Sequence, residues 1–157
     1  MKRLLCLFGS TILLATPGTA GAQLADAKIL TLQAAKAIVA AAEAEARKNG
    51  WNLSIAVVDA HGELIAFERM DEAALTTTAI AQGKALTAAR YKRPTRAIDS
   101  SVAAGRVQMM AFPGVIPVEG GVPIIVGGKV IGAVGASGAT SAQDAQVAKA
   151  GADALRP

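Results

Sequence analysis

The sequence predicts an α/β domain of the α+β kind, a five-stranded antiparallel sheet flanked by helices, in the order α-β-β-α-α-β-β-β-α. Three observations carry this. Two tight turns, Asp59-Ala60-His61-Gly62 and Gly127-Gly128, join apolar segments with no room for a crossover, so the strands they connect run antiparallel. Two alanine-rich segments, 33–48 and 73–91, are too long for strands and strongly favour helix. The chain has 157 residues, the size of one domain.

The elements follow in order. Thr31 caps a helix through QAAKAIVAAAEAEARK that stops at Asn49-Gly50, where glycine supplies the left-handed residue. Ala34, Ile38, Ala41 and Ala42 lie along the side that faces the sheet. WNLSIAVVD is a strand in which Leu53, Ile55 and Val57 alternate with Asn52, Ser54 and Ala56. After the Asp59–Gly62 turn, ELIAFER returns, and Met70-Asp71-Glu72 closes it. Ala73 to Tyr91 is a second helix with Ala81, Ala85, Ala88 and Ala89 on its packed side, and Pro94 lies just past its end. Thr95 caps a short third helix to Ala104, ended by Gly105. Arg106 to Gly114 is apolar and irregular. Three strands come next: Val115 to Glu119, Val122 to Val126, and Lys129 to Val134. The last helix starts after Ser137, with Ser141 and Asp144 as its capping box, and ends near Leu155.

The first 22 residues have the pattern of a secretory signal peptide. Lys2 and Arg3 form a basic start, Leu4 to Ala15 an uncharged apolar run, and Ala20-Gly21-Ala22 a small-residue cleavage site. The expected mature domain is therefore 23–157, periplasmic or secreted, with no membrane attachment after cleavage. Cleavage removes Cys6, the one cysteine, which excludes a disulfide and a catalytic thiol. It also takes two of sixteen basic residues, leaving fourteen against twelve acidic ones, a net charge of +2. One basic cluster survives, Arg90, Lys92, Arg93 and Arg96. Nucleic acid is not its expected target, since an exported chain nearly free of aromatic residues has little with which to stack bases. A solvated helix end, an acidic small-molecule group and a partner subunit are the readings left.

Few residues can carry chemistry. Gly135-Ala136-Ser137-Gly138-Ala139 fails as a nucleophile elbow because its last position is alanine, and the single histidine, His61, sits in a hairpin turn. One histidine and scattered carboxylates make no metal cluster. The glycine-rich turn after the last strand is no P-loop, yet with Ser137, Gly138 and the helix start it would present N–H groups to a carboxylate. Lys84 has Ala81, Ala85 and Ala88 as neighbours on the helix surface. It either snorkels to solvent or, if turned inward, needs a ligand anion or one of Asp59, Glu68 and Asp71. Met109, Met110 and Phe112 are core filling or the wall of a ligand or subunit contact.

Three blocks taken together go further. SIAVVDAHGELIAFERMD, IAQGKALTAARYKRPT and PVEGGVPIIVGGKVIGAVGASGATSAQDAQVA, in this order, resemble the GlcG/HbpS family of haem-binding and haem-degrading-type domains over Leu30 to Leu155. The resemblance implies a profilin-like or PAS-like sheet, homo-oligomers, and a small-molecule ligand, with haem the cofactor of the exported members. The positions that match the motifs are Asp59, Gly62, Arg69, Met70, Asp71, Lys84, Gly120, Gly121, Pro123, Gly135, Ser137, Gly138 and Asp144. Ligand contacts are expected from Arg69, Asp71, Lys84, Tyr91, Ser137 and Gly138. Some relatives are thought to hold haem through a histidine on the first helix, and Thr31 to Asn49 contains none. Iron ligation would then fall to His61, Tyr91, Met109 or Met110, with Arg90, Lys92 or Arg93 meeting the propionates. The resemblance leaves room for two other readings: a small lyase-like enzyme acting on an organic acid or aromatic compound, and a non-catalytic oligomeric accessory protein.

Overall fold

A computed structural model of the chain describes residues 27–155; the expected signal peptide lies outside them. The elements are α1 (Leu32–Lys48), β1 (Ser54–Asp59), β2 (Leu64–Arg69), α2 (Thr77–Arg90), α3 (Thr95–Ala103), a 3₁₀ turn (Val107–Ala111), β3 (Gly121–Val126), β4 (Lys129–Ser137) and α4 (Ser141–Asp153). Every strand pair is antiparallel, as the tight turns predict, and the sheet order is β2-β1-β4-β3.

The sheet has four strands among the described residues, not five. The expected strand Val115 to Glu119 instead runs as an irregular strap along α2. The Thr87 hydroxyl accepts the Ile116 N–H at 2.9 Å and lies 2.7 Å from the Gly83 carbonyl and 3.1 Å from that of Gly114. Gly83 leaves the space that the Ile116 side chain fills: a Cβ there would lie 2.5 Å from Ile116 Cγ1. Ile116 packs against α2 rather than into the sheet, so β-branched composition alone misassigns this segment.

Helices cover both faces. On one, α1 and α4 close a core around Ile38, Leu53, Ile55, Val57, Val134 and Val147. On the other, α2 lies against Ala56, Val58 and Ala133 with Ala81, Ala85, Ala88 and Ala89, the four alanines expected to face inward. Each of Ser54 to Val58 is therefore buried, and the alternation expected of β1 separates two cores rather than core from solvent. Burying a side chain such as Ile55 contributes about 1.5–3 kcal/mol. In α1 the packed side is Ala35, Ile38, Val39, Ala42 and Ala46, shifted from the expected line that included Ala34 and Ala41.

Glycine lets α2 come this close. A Cβ on Gly135 would sit 2.1 Å from the Ala81 carbonyl oxygen and 2.5 Å from the Ala85 nitrogen. The caps follow the sequence in part. The Thr31 hydroxyl accepts the Ala34 N–H at 3.2 Å, and Gly50 takes φ +70° beyond the helix end. Thr95 does not cap α3; its hydroxyl accepts the Gly121 N–H at 2.9 Å and ties α3 to β3. The capping box of α4 joins Thr140 to Gln143, one residue before the expected Ser141–Asp144 pair.

Candidate functional site

The expected site residues fall at opposite ends of the sheet. Ser54 pairs with Arg69 of β2 and with Ser137 of β4, so Arg69, Ser137 and Gly138 share one end with the start of α2. Asp71 follows Arg69 there and is exposed. At the other end, the β1–β2 turn meets the end of α2: Arg90 Nε donates to the His61 carbonyl at 3.1 Å. Gly62 permits that contact, since a Cβ there would lie 2.3 Å from Leu86 Cδ1. The two ends are about 20 Å apart along α2, at about 1.5 Å per residue. One small ligand cannot touch both groups of residues.

Lys84 links the layers. It is turned inward and 1% exposed. Its ammonium donates to Asp144 Oδ2 at 2.7 Å and to the Ala136 carbonyl at 3.1 Å. Its carboxylate partner is none of the expected Asp59, Glu68 and Asp71, because Asp144 reaches it from the first turn of α4. Asp144 Oδ1 also accepts the Ala139 N–H at 3.0 Å. The N–H groups expected to cradle an external anion thus hold the chain's own carboxylate. Burial pushes the Asp144 carboxyl above its usual range, opposed by Lys84 and by the Ala139 and Gly138 N–H groups. Ser137 is 6% exposed, and neither it nor Lys84 lines any of the three clefts described below.

The hairpin end is open and differently built. Tyr91 stacks on Phe112, with ring centroids 6.2 Å apart and planes 11° from parallel. Tyr91 Oη donates to the Pro113 carbonyl at 3.3 Å. Phe112 is 43% exposed, and Val107 and Met110, in the 3₁₀ turn that leads to it, are 62 and 59% exposed. Met109, in contrast, is buried. Arg90, Lys92 and Arg93 are exposed around the stack, and so is His61 in the neighbouring turn. This end therefore joins an exposed apolar and aromatic surface, groups able to ligate iron, and a rim of cations. Phe112 was legible only as an apolar residue; it follows the 3₁₀ turn, and its pairing with Tyr91 is set by how that turn returns to the end of α2. Among the described residues, no group of three histidine, cysteine or carboxylate side chains is placed to hold a metal ion. None of the described helices is long and apolar enough to cross a membrane.

Among the described residues, three clefts of similar size are of interest. One, about 370 Å³, lies at the hairpin end between Lys28, Ala60 and the β3–β4 turn. A second, about 450 Å³, runs between α1 and β2 past Glu43 and Glu68. A third, about 440 Å³, separates α4 from β3 near Arg96 and Lys149.

Comparison with known proteins gives a consistent result. The family described as "Haem degrading protein HbpS-like" matches residues 30–153. Protein GlcG of Escherichia coli (strain K12) is 50% identical over 106 residues, covering 68% of this chain and 79% of that protein. The crystal structure of HbpS superposes with a TM-score of 0.81 at 33% identity, over 87% of this chain and 97% of that one. A crystal structure of a PduOC:heme complex superposes with a TM-score of 0.75 at 26% identity, over 82% of this chain and 96% of that one.

Proposed function

This chain belongs to the HbpS-like family, and from that premise we propose that it is an exported haem-binding protein that works as a homo-oligomer. Haem comes to this reading from the family and from the similar PduOC:heme complex. Export rests on the leader pattern of residues 1–22. The oligomer rests on the open edges of β2 and β3 and on exposed Leu64, Leu75 and Ile125.

The observation that carries the site is the Tyr91–Phe112 stack within an exposed apolar surface rimmed by Arg90, Lys92 and Arg93. Haem is a flat apolar ring with two carboxylates and an iron that needs an axial donor. The apolar surface suits the ring, the cations suit the propionates, and Tyr91 is the donor that belongs to the platform itself. His61 and Met110 are the other iron-binding groups exposed at this end. Arg69, Asp71, Lys84, Ser137 and Gly138 lie elsewhere, and in this reading they hold the fold or serve a second ligand.

The enzyme reading has less behind it, because Lys84 lines none of the three clefts above and donates to Asp144 and Ala136. Haemin titration followed by absorbance tests the proposal. A saturable Soret band at one haem per subunit, shifted or lost in Tyr91→Phe and retained in Arg69→Ala at the other end of the sheet, is the expected result. A broad band that never saturates, or one indifferent to Tyr91, His61 and Met110, would refute it.

A further inference from the structure

The cleft at the hairpin end combines two features that neither of the other two brings together. Its walls are mainly apolar, formed by Val126, Val130, Ile131 and Ala60. Its rim carries two lysines, Lys28 and Lys129. Both are exposed, and neither meets a carboxylate among the described residues. In the cleft beside α4 the cations are matched, Arg96 to Glu119 at 3.8 Å and Lys149 to Asp153. The groove between α1 and β2 carries the carboxylates of Glu43 and Glu68 as well as Lys36.

The sequence brings these lysines together by two local devices. Leu30 is buried, and it crosses β4 where Gly132 leaves room; a Cβ at Gly132 would lie 2.9 Å from Leu30 Cδ2. That anchor lays Lys28 over the β3–β4 hairpin. Gly127 and Gly128 take φ +58° and +74°, the left-handed turn that reverses the chain and starts β4 at Lys129. The wall residues Val130 and Ile131 follow directly.

We propose that this cleft binds a small organic monocarboxylate with one ring or a short branched apolar body. The apolar body would displace water from Val126, Val130 and Ile131, and the carboxylate would sit between Lys28 and Lys129. The size argues for a small ligand: about 370 Å³ is near the lower end of the roughly 300–1,000 Å³ usual for ligand sites. Two uncompensated ammonium groups select an anion over a neutral or cationic analogue of the same shape. The site shares no lining residue with the Tyr91–Phe112 platform and does not depend on haem.

The test is a titration of the expressed, ¹⁵N-labelled chain with 3-phenylpropionate, using 3-phenyl-1-propanol as the neutral control. The expected result is saturable amide shifts at Ala60, Gly127, Lys129 and Ile131 at millimolar ligand, with the alcohol at least about tenfold weaker. Lys28→Ala with Lys129→Ala should weaken the acid by about tenfold or more and leave the alcohol unchanged. Equal affinity for acid and alcohol, undiminished binding by the double variant, or shifts elsewhere would overturn the proposal, as would no saturation. Haemin titration of the double variant separates this from the haem reading: its Soret band should match that of the parent. Tyr91→Phe should leave phenylpropionate binding unchanged.

Discussion

Lys84 Nζ lies 2.7 Å from Asp144 Oδ2, with the two side chains only 2 and 4% exposed. The pair joins α2, on one face of the sheet, to α4, on the other, and it closes over the Ala136 carbonyl between them. Removing one partner strands a charge in the interior, which typically costs about 3–5 kcal/mol. Lys84→Met should therefore destabilise the fold by that order. Asp144→Asn in the same chain should restore part of the loss, because the amide is neutral and its oxygen can still accept the Ala139 N–H. Urea unfolding of the parent, the two single variants and the double variant measures the coupling. Costs that simply add would show that the two groups do not stabilise each other.

Gly135 tests how closely helix and sheet must approach. Its missing Cβ makes room for backbone atoms of Ala81 and Ala85, which no rotamer change can move aside. Gly135→Ala should push α2 off the sheet and cost about 3 kcal/mol or more, at the upper end of overpacking effects. A Cβ on Gly128 would meet nothing within 4 Å, although that residue has φ +74°. Gly128→Asn, which tolerates the left-handed turn, should cost well under 1 kcal/mol. Similar midpoints for the two variants in chemical denaturation would contradict the close-approach account.

Much of this architecture could be read from local chemistry. The Asp59–Gly62 and Gly127-Gly128 turns announced their hairpins, and the alanine face of α2 announced its packing, because each signal lies within one turn or helix. The partner of Lys84 could not be read this way. Asp144 is 60 residues away, and as a residue near a helix start it looked like an ordinary cap. The strap was illegible for a similar reason: Val115, Ile116 and Val118 are good strand residues, and Thr87 and Gly83 of α2, with Asp99 of α3 accepting the Glu119 N–H, redirect them. The site divided along the same line. Tyr91 and His61 were visible as chemical types, but their shared end of the sheet became apparent only with the strand order.

Acid stability should depend on the first hairpin turn. Asp59 Oδ1 accepts the N–H groups of His61 at 2.8 Å and Glu63 at 2.9 Å. Burial pushes the Asp59 carboxyl up, but the N–H groups of Glu63, His61 and Gly62 outweigh it and hold the pKa below its usual value. Such a group contributes stability above its unfolded value of about 3.9, and the contribution is lost as pH falls through the folded value. Asp59→Asn should flatten the decline in melting temperature between about pH 4 and pH 2. An unchanged acid slope would place the sensitivity elsewhere.

Glu68 should act in the opposite direction. Burial raises its pKa, the nearby Glu43 raises it further by charge and hydrogen bonding, and Arg47 opposes both. A carboxyl raised in the folded state favours folding below its unfolded value of about 4.3, and that advantage is lost as pH rises through the folded value. Glu68→Gln should therefore raise the melting temperature at neutral pH and leave it unchanged near pH 3, where both carboxyls are protonated. A gain of equal size at both pH values would point to packing rather than charge.

The Thr87 hydroxyl decides whether the strap holds the proposed haem platform. It accepts the Ile116 N–H, and it has the Gly83 and Gly114 carbonyls within hydrogen-bond reach. Thr87→Val keeps the shape of the side chain but leaves the half-buried Ile116 N–H without its acceptor, a loss of about 1 kcal/mol. Phe112, which stacks on Tyr91, leads into this strap and its carbonyl accepts the Val115 N–H at 3.2 Å, so loosening the strap should also disturb the stack. Amide exchange at Ile116 should accelerate more than exchange at Ala56 or Val134, which belong to the sheet core. Haemin should still bind the variant, but with a broader Soret band and weaker affinity, because the platform is no longer held in one arrangement. Normal haemin affinity with fast exchange at Ile116 would separate the strap from the platform and leave Tyr91 as an independent anchor.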